Sequence, residues 1–193
     1  MTVVDDARSG AAEAAPSALE QLRGVGITDP DLLDALAEGL AGVEARLASA
    51  VTMLDGLADT TSRHLLEAGG KRTRPLLCLL AAQLGRPTPS VIDAAAVVEL
   101  THLATLYHDD VMDSAFVRRG VPAAHAVWGN TVAILAGDLL FARASRVCAG
   151  LGPEAVTIQA ETFERLCLGQ MHETVGPGEA DPVAHYLQVL SDK

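Results

Sequence analysis

The sequence has 193 residues, enough for one domain with a sizeable core or for part of a larger one. Hydrophobic residues make up 49% and aromatic residues only 3%, so Ala, Leu and Val supply most of the apolar content, and this favours helices. The formal net charge of −11 argues against nonspecific nucleic-acid binding, because that binding depends on neutralising phosphates.

The N-terminal part of the chain differs from the rest. Residues 1–16 are rich in Ala, Asp and Ser without hydrophobic periodicity, so we predict a mobile tail there and one helical region over residues 17–193. The tail lacks the apolar core of a signal peptide, and no later stretch has the composition of a transmembrane segment. The cysteines Cys78, Cys148 and Cys167 form no Cys-x-x-Cys pair. These features predict a cytoplasmic protein with reduced thiols.

Hydrophobic periodicity predicts a series of helices in chain order. The first begins at Asp29, a suitable N-cap followed by proline, and carries leucines and valines at spacings of three and four. The segment from Pro75 to Gly85 is apolar on all sides, so we expect it to be buried. Residues 114–128 are expected to be irregular. The other predicted helices cover about 57–68, 91–113, 130–150, 153–174 and 183–193.

No segment alternates with a two-residue period, so the pattern predicts an all-α protein. We expect an antiparallel bundle of seven or more helices. The last predicted helix reaches Lys193 without a stop signal, so we expect the bundle to be incomplete in this chain.

Three aspartates, Asp109, Asp110 and Asp113, stand at the end of the long predicted helix. On an ideal helix Asp109 and Asp113 are separated by about 40° around the axis and about 6 Å along it. Carboxylates so placed repel each other. A cation reverses this, and Mg²⁺ prefers one or two carboxylates with waters and phosphate oxygens. A solvated acidic helix end is the alternative, but the following Arg118 and Arg119 favour a site for metal and diphosphate.

A basic cluster follows a pair of glycines in GGKRTRP, and its cations are Lys71, Arg72 and Arg74. Glycine permits close backbone approach, and the start of the next helix favours an anion. The cluster is therefore a second candidate anion site, with a solvated basic turn as the alternative. His102 lies two helical turns before Asp109 on the same face. A lone histidine there is usually a core residue, but its position makes a role in anion binding reasonable.

GGKRTRP, ELTHLATLYHDDVMD, RRG, GNTVAILAGDLLF and GQMHE together resemble the trans-prenyltransferases, the all-E polyprenyl diphosphate synthases, in order and spacing. The resemblance runs from about residue 60 to Lys193. Class I terpene cyclases share the aspartate-rich motif but lack the GGKRTRP site. The resemblance implies a helical enzyme, homodimeric when complete, that condenses isopentenyl diphosphate with an allylic diphosphate into an all-trans polyprenyl diphosphate.

The resemblance also implies roles for individual residues. Asp109, Asp110 and Asp113 would hold Mg²⁺ that bridges the allylic diphosphate, and Arg118 would contact the same diphosphate. Gln170 would line the site near the metals, and Lys193 would touch the allylic diphosphate. The diphosphate of isopentenyl diphosphate would be bound by Lys71, Arg74, His102 and Arg119.

We expect the growing prenyl tail to run along the helix turn before Asp109, so the residues there should limit the length of the product. Ala104 and Thr105 are both small, whereas an aromatic side chain there would close the path of the growing prenyl tail. By the same resemblance, small residues imply a product of C20 or longer.

A second aspartate-rich motif, which such synthases carry well over a hundred residues after the first, does not occur in this sequence. Only 80 residues follow Asp113. We therefore expect the chain to be the N-terminal portion of a longer synthase and inactive alone. The alternative is a short subunit or diphosphate-binding partner of a heteromeric synthase, without catalysis of its own.

Overall fold

The computed structural model describes residues 18–24 and 26–193, so the predicted tail of residues 1–16 lies outside the described part of the chain. The described residues form helices and one short hairpin. The elements are α1 (Ala18–Gly24), α2 (Pro30–Val51), α3 (Gly56–Glu67), α4 (Thr73–Ala82), α5 (Ser90–Met112), β1 (Val117–Arg118), β2 (Val121–Pro122), α6 (Ala124–Trp128), α7 (Asn130–Ala149), α8 (Pro153–Val175) and α9 (Pro182–Asp192).

Side-chain caps fix where several helices begin. The Asp29 carboxylate accepts a hydrogen bond from the Leu32 amide at 3.0 Å, as predicted for the start of α2. Asp55 caps α3 in the same way through the Ala58 amide at 2.9 Å. The predicted all-α class is confirmed, and α5, α7, α8 and α9 match their predicted ranges to within one residue.

The core is built around α5, which packs against α2, α4, α6 and α7. Leu100, Leu103 and Tyr107 of α5 are fully buried, and the Tyr107 hydroxyl donates to the Thr61 carbonyl. Among the described helices, α5 is the one whose length and composition would allow it to cross a membrane. Its neighbours enclose it as the core helix of the bundle, which accounts for its apolar composition.

Residues 114–128 were predicted to be irregular, and this was wrong. They contain the β1–β2 hairpin, in which Val117 pairs with Pro122, and the short helix α6. Arg119 and Gly120 form the turn with positive φ values of 53° and 80°. Two-residue strands are too short to produce an alternating pattern, so the sequence carried no signal for them.

The hairpin and α6 are anchored to α3 by His64. Its Nε2 lies 2.7 Å from the Pro122 carbonyl oxygen. The ring of Trp128 meets the His64 ring edge-on, with centroids 4.9 Å apart. The second strand of the hairpin and the end of α6 are therefore tied to the same residue of α3.

The expectation that the segment after Pro75 would be buried on all sides was also wrong. In α4, Pro75, Leu76 and Leu79 are buried, but Leu77 is 59% exposed. The helix packs through one face against α2 and α5, and no described element covers the opposite face.

The last two helices are the least covered. Gly169 is the buried residue of α8, and Val189 is that of α9. Their exposed apolar side chains include Ile158, Met171, Val175, Tyr186, Leu187 and Leu190. In the described part of the chain nothing covers this surface.

Candidate active site

A cavity of about 670 Å³ opens between α5, α7 and α8. Six of the residues singled out from the sequence line it: Arg74, His102, Thr105, Asp109, Gln170 and Lys193. Ala104 is only 1% exposed and is not part of the lining, so of the two small residues before Asp109 it is Thr105 that faces the cavity.

The rest of the lining is largely apolar. Phe163 is part of it and stacks on Phe141 of α7 with ring centroids 4.0 Å apart. Ile134, Leu166 and Met171 add further apolar surface. Sequence reasoning missed these residues, because periodicity shows that α8 has an apolar face but not which helix that face meets.

The three aspartates have different surroundings. Asp109 lines the cavity, and burial, reinforced by the negative charges of Asp113 and Asp110, raises the pKa of its carboxyl group. Nearby Lys193 and Arg118 oppose that increase. Asp113 ends the helix, and its amide donates to the Asp109 carbonyl at 2.7 Å.

Asp110 points about 100° around the helix axis from Asp109 and about 60° from Asp113. It is 1% exposed, and its Oδ1 accepts from Arg118 Nε at 2.7 Å. Its Oδ2 is buried with no hydrogen-bond partner. Within the described residues, no three acidic, histidine or cysteine side chains stand together as a ready-made metal site.

The aspartates nevertheless fit a hard divalent cation by their donor chemistry. The Asp109 and Asp113 side chains make no hydrogen bond or ion pair with the described residues, and Asp110 keeps one carboxylate oxygen unpaired. Uncommitted carboxylate oxygens are the ligands that Mg²⁺ and Ca²⁺ prefer.

The basic cluster divides into free and committed cations. Lys71 and Arg74 form no ion pair or hydrogen bond with any described residue and remain available to an anion. Arg72, by contrast, forms ion pairs with Glu44 and Glu99. Its side chain is 10% exposed, so it belongs to the fold rather than to the predicted anion surface.

Arg119, predicted to bind diphosphate, also has structural partners. Its Nη1 donates to the carbonyl oxygens of Leu65, at 2.9 Å, and Gly69. Its Nη2 lies 3.8 Å from the Glu99 carboxylate. Much of its donor capacity is therefore used within the protein.

His102 reaches the cavity from α5. Burial, together with the positive charges of Arg74, Arg119, Arg118 and Arg72, lowers its pKa to about 4. The imidazole is thus neutral near pH 7, where it can donate one hydrogen bond and accept another.

Lys193 joins the site from beyond α9. Its ammonium group donates to Gln170 and to Glu173, both on α8. The structure therefore brings the predicted residues Gln170 and Lys193 together, with Glu173 as a partner that the sequence did not point to.

His108 and Asp138 are further polar residues of the cavity that sequence reasoning missed. The His108 Nε2 lies 3.1 Å from the Ile134 carbonyl oxygen and 3.3 Å from Asp138 Oδ1. Gly137 makes this possible, because a Cβ there would stand 2.4 Å from His108 Nε2. The sequence did offer a signal for both, because His108 directly precedes the aspartate motif in HDD and Asp138 lies within the motif GDLLF.

A family model described as polyprenyl synthetase matches residues 56–193. The chain belongs to the polyprenyl synthetase family. Among curated relatives it is 51% identical over 174 residues to the nonaprenyl diphosphate synthase of Mycobacterium tuberculosis, covering 88% of this chain and 52% of the relative. It is 40% identical to the heptaprenyl diphosphate synthase component 2 of Geobacillus stearothermophilus, covering 82% and 50%. The chain spans about half the length of these polyprenyl synthetases.

Solved structures of the same family agree with the fold. The geranylgeranyl pyrophosphate synthase of Corynebacterium glutamicum, complexed with calcium and isoprenyl diphosphate, is 48% identical with a TM-score of 0.76. The alignment covers 86% of this chain and 51% of that one. A decaprenyl diphosphate synthase from Rhodobacter capsulatus gives a TM-score of 0.77 at 37% identity, covering 84% and 51%. The polyprenyl synthetase family predicted from the sequence motifs is thus confirmed.

Proposed function

We propose that this chain contributes the cavity and the first metal site of a prenyltransferase that joins isopentenyl diphosphate to an allylic diphosphate. The observation that carries the proposal is the cavity itself. Its polar part includes Asp109, Arg74, His102 and Lys193, and much of the remaining wall is apolar. Carboxylates and cations suit a diphosphate, and the apolar wall suits a prenyl tail.

Mg²⁺ is the proposed cofactor, and Asp109, Asp113 and the unpaired oxygen of Asp110 would hold it. Ca²⁺ occupies the related Corynebacterium glutamicum structure. The cation would supply positive charge to the departing diphosphate.

The chain's own residues would stabilise the leaving diphosphate, orient the second substrate and exclude water. Arg118, oriented by Asp110, and Lys193 stabilise the negative charge that develops as the allylic C–O bond breaks and diphosphate leaves. Lys71, Arg74 and neutral His102 orient isopentenyl diphosphate, with Arg119 behind them. The isopentenyl double bond then forms the new C–C bond, and a proton is lost to the released diphosphate. Apolar side chains such as Phe163 exclude water from the electron-deficient allylic carbon.

We further propose a product of C20 or longer, because Thr105 leaves the cavity open one turn from Asp109. A homodimer and a cytoplasmic location remain predictions. The isolated 193-residue chain is expected to be inactive, since the second aspartate-rich motif does not occur in it.

The alternative is a heteromeric synthase in which this chain binds diphosphate for a partner. This alternative is supported by the name of one relative, heptaprenyl diphosphate synthase component 2, which describes one component of a synthase. Both readings can be tested by measuring isopentenyl transfer with Mg²⁺ and farnesyl diphosphate, first for this chain and then for the full reading frame that encodes it. Transfer that appears with the full frame and disappears in Asp109→Ala, with isopentenyl diphosphate binding retained, supports the synthase. Robust turnover by the chain alone would contradict its expected inactivity.

A further inference from the structure

Glu99 is a buried carboxylate that the proposed mechanism does not use. It lies on α5 upstream of the aspartates and is 2% exposed. An ionised carboxylate at that depth requires charged partners, because burying it unpaired is costly. The structure supplies two, Arg72 and Arg119, from segments far apart in the sequence.

Arg72 approaches Glu99 from the loop before α4. Its Nη1 donates to Glu99 Oε1 at 3.1 Å and to the Gly69 carbonyl at 3.3 Å. Its Nη2 donates to the Leu66 carbonyl at 3.2 Å. The residue has a φ of 50°, a left-handed conformation that is unfavourable for a long side chain. Its side-chain contacts therefore hold the backbone in this conformation.

Arg119 approaches from the hairpin and contacts the end of the same helix, α3. It donates to the carbonyls of Leu65 and Gly69. Its guanidinium also stacks closely on Gly70, where a Cβ would lie 2.9 Å from Arg119 Cζ. Both arginines thus donate to the Gly69 carbonyl just beyond α3, and Glu99 offsets the repulsion between their charges.

We propose that Glu99 is a positioning residue for the diphosphate site, an inference that rests on the proposed function. By holding Arg72 and Arg119 it fixes the backbone of residues 69–72 on the end of α3. Lys71 and Arg74 are then the cations of GGKRTRP that point outward and bind the diphosphate. Through Glu99, Arg72 and Arg119 would support the loop. Lys71 and Arg74 would then be free to bind the diphosphate.

The test compares Glu99→Gln with Glu44→Gln, since exposed Glu44 contacts Arg72 but not Arg119. The first measurement is amide hydrogen exchange over residues 66–72. The second is the affinity for inorganic diphosphate, measured by titration calorimetry. Divalent cation is left out, so that no metal ion links the ligand to the aspartates. The third is the Mg²⁺-dependent affinity for farnesyl diphosphate, which engages Asp109.

For Glu99→Gln we expect faster exchange and about tenfold weaker diphosphate binding, the effect of losing one buried charged hydrogen bond. The affinity of Glu99→Gln for farnesyl diphosphate should change by less than about twofold. All three measurements on Glu44→Gln should also change by less than about twofold, because Glu44 forms an exposed ion pair. Unchanged exchange overturns the proposal. Faster exchange with unchanged diphosphate affinity, or an equal loss for both ligands, overturns it too, because Glu99 would then serve stability alone.

Two further outcomes are separable. If Glu99→Gln does not fold, Arg72→Gln tests the same pair: the proposal requires weaker diphosphate binding although Arg72 does not touch the ligand, and unchanged affinity overturns it. If the wild-type chain binds no diphosphate, the proposed function fails. The exchange difference between Glu99→Gln and Glu44→Gln then still decides whether Glu99 holds the loop.

Discussion

At the scale of single residues, burial and the surrounding arginines decide the charge of His102. Its pKa falls from 6.5 to about 4 on folding, so the unfolded chain binds a proton more readily than the folded chain. The free energy of unfolding contributed by this residue is therefore complete above pH 6.5 and is lost as the pH falls towards 4. We expect an NMR titration midpoint near 4 for the His102 ring.

The variant His102→Gln provides the matching stability measurement. It should flatten the pH dependence of urea unfolding between about pH 4 and 6.5. His185, which lies on α9 rather than on α5, provides a control through His185→Gln. An NMR midpoint at 6.5 for His102 would show that neither burial nor the arginines shift its pKa.

Asp109 shows the opposite relation between pH and stability, although here too the charged form is the less stable one in the fold. Because folding raises the pKa of its carboxyl group, the charged form that predominates at pH 7 destabilises the fold. Asp109→Asn should therefore increase the free energy of unfolding by about 0.3 kcal/mol, the usual size of a like-charge pair at i and i+4. Chemical denaturation without metal would measure it.

Added Mg²⁺ should reverse the order of the two proteins. It stabilises the wild type by binding to the folded state, whereas the variant has lost a ligand. Equal stabilisation of both proteins by Mg²⁺ would mean that the cation does not bind at Asp109.

At the scale of elements, the close contact between α5 and α7 is what shapes the cavity. It depends on Gly137, since an added Cβ would meet His108 Nε2 at 2.4 Å and the Ala104 carbonyl oxygen at 3.1 Å. Gly137→Ala should cost about 1 to 3 kcal/mol, the range for overpacking a core, and displace His108 from Ile134. Gly85→Ala is the control, because its nearest atom is 3.9 Å away. Equal unfolding free energies for the two variants would contradict this account.

Opposite walls of the cavity should affect product length in opposite directions. Thr105→Phe narrows the cavity on α5 and should shorten the product in the full-length synthase, whereas Phe163→Ala removes part of the wall on α8 and should lengthen it. Chromatography of the products measures both. Phe116→Ala serves as control, since Phe116 is 69% exposed and lies outside the cavity lining. An unchanged distribution in Thr105→Phe would place the limit elsewhere.

The helices and their contacts differ in how far they can be predicted from the sequence. Helix bounds were predictable because caps such as Asp29 and the spacing of apolar residues are local signals. Asp109, Arg74 and His102 could be singled out because their motifs are contiguous, and all three line the same cavity. The commitment of Arg72 and Arg119 to Glu99 was not, since it depends on how α3, α5 and the hairpin meet.

At the scale of the whole molecule, α8 and α9 expose a group of large apolar side chains to solvent. Clustered apolar surface of this kind binds hydrophobic dyes and promotes association. The double variant Leu187→Lys/Leu190→Lys should reduce the fluorescence of bound anilinonaphthalene sulfonate by about half while leaving the melting temperature within about 2 °C, because both residues are more than half exposed.

The control for this measurement is Leu54→Lys. Leu54 is a fully exposed leucine between α2 and α3, so its replacement should leave the dye signal from α8 and α9 unchanged. A similar reduction for Leu54→Lys would show that the dye does not report on α8 and α9.

The edge-on packing of Trp128 on His64 gives the protein its own optical signal. Trp128 is the single tryptophan of the sequence, and His64 also holds the hairpin that carries Arg118 and Arg119. Indole emission responds to an adjacent imidazole, so any ligand that shifts the hairpin changes the fluorescence without an attached label. Stopped-flow mixing could then time the arrival of a diphosphate at the arginines separately from the chemistry that follows.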